Sequence, residues 1–455
     1  VLNEILGGPS DKELNEISQK IQNKGRPKTP PASELAEYVT QMVIECGWRY
    51  DPKYDTFMFY QSTKGTWRRE EYRTEYKHFV QDLFLRENIP TPGGFTSHLL
   101  SDVVNLTQAY ITQPYWNDDP DKLAFKNGVL DIGNKEFRES RSDDYLSLST
   151  NTDYIEYDPN NQEHVEIRSE ITEFMEQLFP DPSLNTYIWE HLASVLRGDN
   201  RNQTFNIYTG CGRNGKSKLV ELMGFVLGDY KGSVPLALIT QKRGSIGGVS
   251  PEVAQLKGLR YAVMQEPSKG DRINEGIMKE ITGGDPIQGR ALFKDSITFK
   301  PQFKLVVCTN TLFEIKSNDD GTWRRLEVVD FISRFVDDES KLDDSKHVYK
   351  RDKRLRDKLR AWPTIFLCIL LEEWMKYDKE GIIVPSQVNS KTKSYRNEND
   401  NVGRWIAESC EIAPNVTDNG VEKAPTSFED LYEDFEEWCK ENGIKSNKNK
   451  FKEDL

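Results

Sequence analysis

The octet Gly210-Cys211-Gly212-Arg213-Asn214-Gly215-Lys216-Ser217 decides how the rest of the chain is read. It fits the pattern G-x-x-x-x-G-K-[ST], preceded by a strand-like apolar run at Phe205–Tyr208 and followed by a helical pattern at Lys218–Leu227. A phosphate cradle requires that setting. Glycines let successive backbone N–H groups converge on phosphate oxygens, and the N-terminus of the following helix adds a favourable dipole. On this reading Gly210 through Ser217 wrap the phosphates of ATP, Lys216 reaches the β and γ groups, and Ser217 is the protein ligand of Mg²⁺.

A phosphate loop alone does not separate kinases from GTPases or motors; the elements downstream do. Arg260–Met264 is a buried-type strand that runs into Gln265-Glu266, and a carboxylate at such a strand end can polarise an attacking water. Phe303–Cys308 is a second such strand, ending in Thr309-Asn310, where an amide is suited to sense the γ-phosphate. Taken singly, Glu266 is a surface residue and Asn310 a turn residue; their order after the loop favours the catalytic reading. From Phe205 to Phe335 short apolar strands alternate with helices and glycine-rich loops, the signature of an α/β unit around a parallel sheet.

Outside this unit the chain is less explicit. Residues 1 to about 40 have a polar helical pattern broken at Arg26–Pro31. Trp48–Tyr50, Phe57–Tyr60 and Gly65–Trp67 read as a short β-meander, whose aromatics more often form a small core than a base-stacking surface. Helical pattern follows at Glu70–Glu87, then two strands about an Asn-Gly turn within Lys122–Asp131, then helices over 163–198. Asp337–Asp357 is a charged stretch expected to be a solvated face or linker, and Ile365–Trp374 a buried-type helix. Near the end, Thr426–Glu429 has a capping-box pattern before the stripe Leu431, Phe435, Trp438, and a basic segment Ser446–Lys452 follows. Two helices of this kind fit a winged-helix module or a small packing domain equally.

Bulk properties bound the function. The 455 residues are too many for one core. The net charge of −13 excludes a generally basic surface but leaves room for a few lysines lining a pore. No apolar run approaches membrane-spanning length and no signal peptide opens the chain. The first residue, Val1, suggests a processed or excised chain. Six scattered cysteines, with no Cys-x-x-Cys pair, suggest ordinary thiols in a reducing compartment and no zinc site.

The order of pieces resembles superfamily 3 helicases, and more narrowly the poxvirus-type primase-helicases of large cytoplasmic DNA viruses and their phage and plasmid relatives. The resemblance rests on the phosphate loop, the strand ending at Glu266, Lys279–Asp285 with Arg290, Phe293-Lys294, the strand to Asn310, and Gly321–Arg325. It continues in Phe125–Asp131 with Tyr154–Pro159, in Tyr395–Asp400 with Val402–Trp405, and in Leu431, Tyr432 and Trp438, covering about residues 120–455.

It implies an AAA+ P-loop ATPase core with a helical N-terminal region and a small helical, winged-helix-like C-terminal domain. The expected divisions are 1–120, 121–200 (a pre-helicase domain), 201–335 (the ATPase core), 336–400 (a helical lid or linker) and 401–455. The implied activity is ATP hydrolysis by a homo-hexamer that moves along single-stranded or forked DNA at viral replication sites in the host cytoplasm. In that scheme Phe293 and Lys294 tip a hairpin that contacts DNA in the channel. Arg324 or Arg325 reaches a neighbour's γ-phosphate. Many relatives of this motor class carry an acidic pair where this chain has Gln265-Glu266, which leaves Mg²⁺ to Ser217, phosphates and water. No alternating Asp-x-Asp strand is evident, and Asp118-Asp119, Asp143-Asp144 and Asp319-Asp320 read as loops, so priming is assigned to a domain upstream. Two rivals remain: an ATP-dependent initiator or loader that does not translocate, and a small-molecule kinase.

Overall fold

The computed structural model describes residues 30–72, 74–89, 96–113, 115–240, 250–265, 272–292, 295–315, 319–410 and 426–455. Most of the polar helical pattern expected at the start lies outside them; its described part is helix α1 (Ala32–Glu45), which buries Leu35, Ala36, Val39 and Val43 on one face. The expected meander follows as β1 (Trp48–Asp51), β2 (Thr56–Gln61) and β3 (Thr66–Arg69), antiparallel throughout. Helices α2 (Glu75–Arg86) and α3 (Ser97–Tyr110) cover it. Its aromatics form a core: Phe57 stacks on Tyr76 of α2 at 3.9 Å between centroids, and Trp67 packs edge-on against Trp116.

Strands β4 (Lys122–Phe125), β5 (Gly128–Asp131) and β6 (Glu136–Arg138) make a second antiparallel sheet. Its first turn is centred on Lys126-Asn127 rather than Asn-Gly, because Phe125 pairs with Gly128. Gly128 is needed for packing: a Cβ there would lie 2.4 Å from the Arg138 carbonyl oxygen. Helices α4 (Gln162–Leu178) and α5 (Pro182–Ala193) follow, each begun by a side-chain cap from Asn161 or Asp181.

Next comes the expected parallel sheet. Its strands are β7 (Phe205–Thr209), β8 (Lys231–Ser233), β9 (Tyr261–Gln265), β12 (Lys304–Cys308) and β13 (Leu326–Asp330), in spatial order β13-β7-β12-β9-β8. Strands β7 and β12 are buried along their whole length, as a sheet covered on both faces requires. Alternation splits their side chains. Phe205, Ile207, Leu305 and Val307 enter one core, with α7 (Glu275–Thr282) and the hairpin β10 (Ile287–Arg290)–β11 (Ser296–Phe299). Tyr208, Val306 and Cys308 enter the other, with α4, α5 and α6 (Lys216–Leu227).

The hairpin's first strand, Ile287–Arg290, ends ahead of the Phe293-Lys294 pair in the sequence. The run Gly283-Gly284-Asp285-Pro286 before it and Gly289 within it look like loop. Yet Gly289 is where the backbone turn at Pro251–Ala254 packs, its would-be Cβ only 2.7 Å from the Ala254 nitrogen.

After the helical turn α8 (Asp320–Trp323) and β13, the chain leaves the sheet. The charged stretch is more than a linker: β14 (Arg334–Val336) pairs in parallel with β15 (Val348–Lys350). Helices α9 (Leu355–Ala361) and α10 (Pro363–Glu380) then join the core around α5 and α6, and the expected buried helix extends beyond Ile365–Trp374 at both ends. Helix α11 (Ser386–Asn399) lies along edge strand β13, where Thr392 Oγ1 accepts from the Val328 N–H at 3.1 Å.

The tail has its own core of Trp405, Phe435, Trp438 and Phe451 from α12 (Asn401–Ser409), α13 (Phe428–Glu441) and α14 (Lys448–Asp454). Its described elements are all helices, with no strand among them to serve as a wing. The cap of α13 is one residue later than expected: Ser427 accepts from the Asp430 N–H.

The second small sheet is joined to the base of the large one by a buried cation. Arg260, just ahead of β9, is 1% exposed and donates through Nη2 to the carbonyl oxygens of Asp119 (3.3 Å) and Lys122 (3.0 Å). Gly198 leaves it room, since a Cβ there would lie 1.1 Å from Nη1. Lys304 lies at the same base, paired with Asp199. Burial pulls its pKa down to about 8 against the raising effect of that carboxylate.

Candidate functional site

All five strands of the large sheet are parallel, so it has one carboxyl edge, and ligands of such sheets collect there. The loop Gly210–Gly215 emerges from β7 at that edge and delivers Lys216 and Ser217 into the first turn of α6. The turn is tight because of what surrounds it. Gly210 has φ +149°, and a Cβ there would meet Asn214 Nδ2 at 2.2 Å; Gly215 has φ +83°, with Leu178 of α4 at 2.2 Å from its would-be Cβ. Neither position tolerates a side chain.

Strand β12 runs beside β7 in register Cys308↔Tyr208, which carries Thr309 and Asn310 to the mouth of the loop. There Lys216 Nζ donates to the Asn310 Oδ1 atom and to the Gly210 carbonyl oxygen, each at 3.0 Å. Thr309 shapes the turn, its Oγ1 accepting from the Thr311 N–H at 2.9 Å. Together Gly215, Lys216, Ser217, Cys308, Thr309 and Asn310 line a cavity of about 300 Å³. The Cys308 thiol, raised to about 11 by burial against the lowering effect of Lys216, is protonated at neutral pH and sits there as a small wall residue. Backbone N–H groups, a helix N-terminus and a lysine around one cavity can hold a polyanion.

Strand β9 lies next to β12 and ends at Gln265; Glu266, the next residue in the sequence, falls outside the described residues. Phe293 and Lys294 also fall outside them, in the connection between β10 and β11.

Arg324 and Arg325 are not brought to this cavity. They precede β13, whose first residue Leu326 pairs with Phe205, so they sit at the opposite, amino edge of the sheet. Both donate to Gln203 Oε1 at 3.2 Å, and Arg325 also donates to the Gly321 carbonyl oxygen at 2.6 Å.

The three acidic pairs have structural partners. Asp118 pairs with Lys257, Asp144 with Arg138 and Lys122, and Asp319 caps α8 while pairing with Lys279. In the tail, Lys448 pairs with Glu429 and lies over the Phe428 and Tyr432 rings, so part of the basic segment is engaged within the domain.

Residues 36–180 match a family described as "D5 N terminal like", and residues 208–325 match a family of unknown function, DUF5906. Among curated proteins, "Putative helicase L207/L206" of Acanthamoeba polyphaga mimivirus is 40% identical over 326 residues, 70% of this chain and 33% of that protein. "Putative helicase 121R" of Invertebrate iridescent virus 3 is 30% identical over 341 residues, 71% and 35% of the two chains. "Putative primase C962R" of African swine fever virus is 24% identical over 331 residues, 69% and 33%. The chain belongs to the viral primase-helicase family.

This primase-helicase chain spans about a third of the length of the curated relatives it matches. Its likeness to the family begins at residue 36, well ahead of the expected residue 120, and takes in the meander and its helices. The second match runs from the end of β7 to Arg325 and so contains the loop, Asn310 and both arginines. A solved structure, the apo A form of the NrS-1 C-terminal region, is similar at a TM-score of 0.49 with 11% identity, over 81% of this chain and 78% of that one.

Proposed function

We propose that the chain is the motor part of a viral primase-helicase: an ATP-dependent DNA helicase that works as a homo-hexamer, coupling ATP hydrolysis to movement along DNA and strand separation. The observation that carries this reading is the contact between Lys216 and Asn310 across the cavity at the carboxyl edge. It joins a lysine in the first turn of α6, just beyond β7, to an amide just beyond the neighbouring strand β12, which supports reading them as a phosphate-binding cation and a γ-phosphate-sensing amide.

The triphosphate takes the place of the Gly210 and Asn310 oxygens as acceptor for Lys216. Ser217 is exposed on the cavity wall at the start of α6, where its hydroxyl fits the role of Mg²⁺ ligand. Held there with a nucleotide, Mg²⁺ would supply positive charge against the phosphates. Asn310 holds the attacking water and Glu266 polarises it. Arg324 or Arg325 completes the site of a neighbouring subunit, since its own lies at the other edge of the sheet. Phe293 and Lys294 grip DNA in the channel. Priming belongs to a further domain of the full-length protein.

Unwinding of a forked DNA duplex with ATP and Mg²⁺, compared with the Lys216→Ala chain, tests the proposal. Unwinding by the intact chain and its loss in the variant is the expected result. DNA-stimulated hydrolysis without unwinding would replace the motor with a loader.

A further inference from the structure

The cavity at Lys216, about 300 Å³, is at the lower bound of ligand pockets, which run to about 1,000 Å³. It has room for a phosphate chain, and a base and sugar must lie beyond it. The same loop has a second face: Arg213, Gly215 and Lys218, which border the small cavity, also border a cleft of about 1340 Å³.

The ribbon β14–β15 borders the same cleft beside the loop, and in it Phe335 and Tyr349 are directly opposed in register and therefore share a face. Their ring centroids are 6.0 Å apart, both residues are half-buried, and both line the cleft. The ribbon is fixed to the phosphate loop. The Phe335 N–H donates to the Arg213 carbonyl oxygen at 2.9 Å, and the Phe335 ring lies 3.5 Å from the would-be Cβ of Gly215. Two strands of three residues gain little stability from their own ladder. What this ribbon does is hold two rings at a set distance from the loop.

Other lining residues are tied to one another: Trp362 Nε1 donates to Glu170 at 3.0 Å, and Lys358 bridges Glu170 (2.8 Å) and Asp352 (3.0 Å). Arg354 and Arg356 add exposed positive charge, in a chain whose net charge is −13, where an anionic ligand would approach.

We propose that this cleft is the nucleoside half of the site, with the base of a nucleoside triphosphate stacked on Tyr349 beside Phe335 and its phosphates in the cradle on the other side of Arg213–Gly215. The inference rests on the reading of the cradle as a triphosphate site. It gives the charged stretch between the sheet and α9 a ligand-binding role.

The test is equilibrium binding to the full chain, in Mg²⁺, of two probes: ATP, and inorganic tripolyphosphate, which has no base. Tyr349→Ala is expected to weaken ATP about tenfold, the scale of one lost base–aromatic stack. Tripolyphosphate should bind it unchanged, and Tyr349→Trp should restore ATP binding. Equal weakening of both probes, or unchanged ATP binding, overturns the proposal. Lys216→Ala, expected to weaken both probes, serves as the separate check on the cradle. Loss of neither probe there overturns the triphosphate reading, and this inference with it.

Discussion

Lys216 donates to the Gly210 carbonyl oxygen and to Asn310, and Asn310 is the group expected to act on the nucleotide. If Asn310 orders the attacking water, Asn310→Ala should lower kcat for ATP hydrolysis about 10²-fold while ATP affinity changes only a few-fold; steady-state kinetics with a direct binding measurement separates the two. A second residue gives a pH signature. His191 of α5 is 1% exposed, and burial, aided by the nearby charge of Lys304, drops its pKa from 6.5 to about 3. The unfolded chain therefore takes up a proton below pH 6.5 that the folded chain refuses. This stability is complete above pH 6.5 and is lost as pH falls toward 3, at about 1.4 kcal/mol per pH unit. Between pH 6.5 and 5 the wild type should lose about 2 kcal/mol more than His191→Phe in urea titrations; identical losses would dispose of the assignment. At this scale the sequence was legible where local pattern fixes backbone shape, as at Gly210–Ser217. It was silent on His191, Arg260 and Lys304, whose partners are distant in the chain.

Elements were legible in proportion to their periodicity. The meander, the helix after the loop and the core strands stand where alternation and apolar runs put them, because each buries its own pattern against a neighbour. The reading failed where composition and packing disagree. Ile287–Arg290, to which the sequence reading assigns no strand, is one, and its Gly289 serves contact with Ala254. Val348–Lys350 sits in a run of charges and pairs with β14. Phe293 and Lys294 fall between β10 and β11 in the sequence, outside the described residues; under the proposed role Lys294→Ala should spare basal ATP hydrolysis while abolishing unwinding. A variant that unwinds forked DNA at the normal rate would remove the hairpin from the mechanism. In the tail, Ser427→Ala should cost about 1 kcal/mol by removing the cap of α13, read as a lower thermal midpoint.

Across the whole molecule, the phosphate loop and the arginine pair sit at opposite ends of a strand of five residues, a separation of roughly 15 Å. Neither arginine is near its own loop, so under the proposed mechanism a completed site would take two chains. Lys216→Ala and Arg325→Ala chains, each inactive alone, should regain about a quarter of wild-type hydrolysis when mixed, the share of interfaces that pair an intact lysine with an intact arginine. No recovery, with Arg324→Ala mixtures equally inert, would argue against shared sites. This division between the edges was not legible in the sequence, which gives the order of strands along the chain but not their neighbours in space. Arg260 has a mechanical consequence. Its buried guanidinium donates to two carbonyl oxygens of the small sheet's approach, so rotation of that sheet against the base of the large one would strip a buried cation of these partners. Such a joint would couple movement of the small sheet to the base of β9, two strands from the one that carries the phosphate loop.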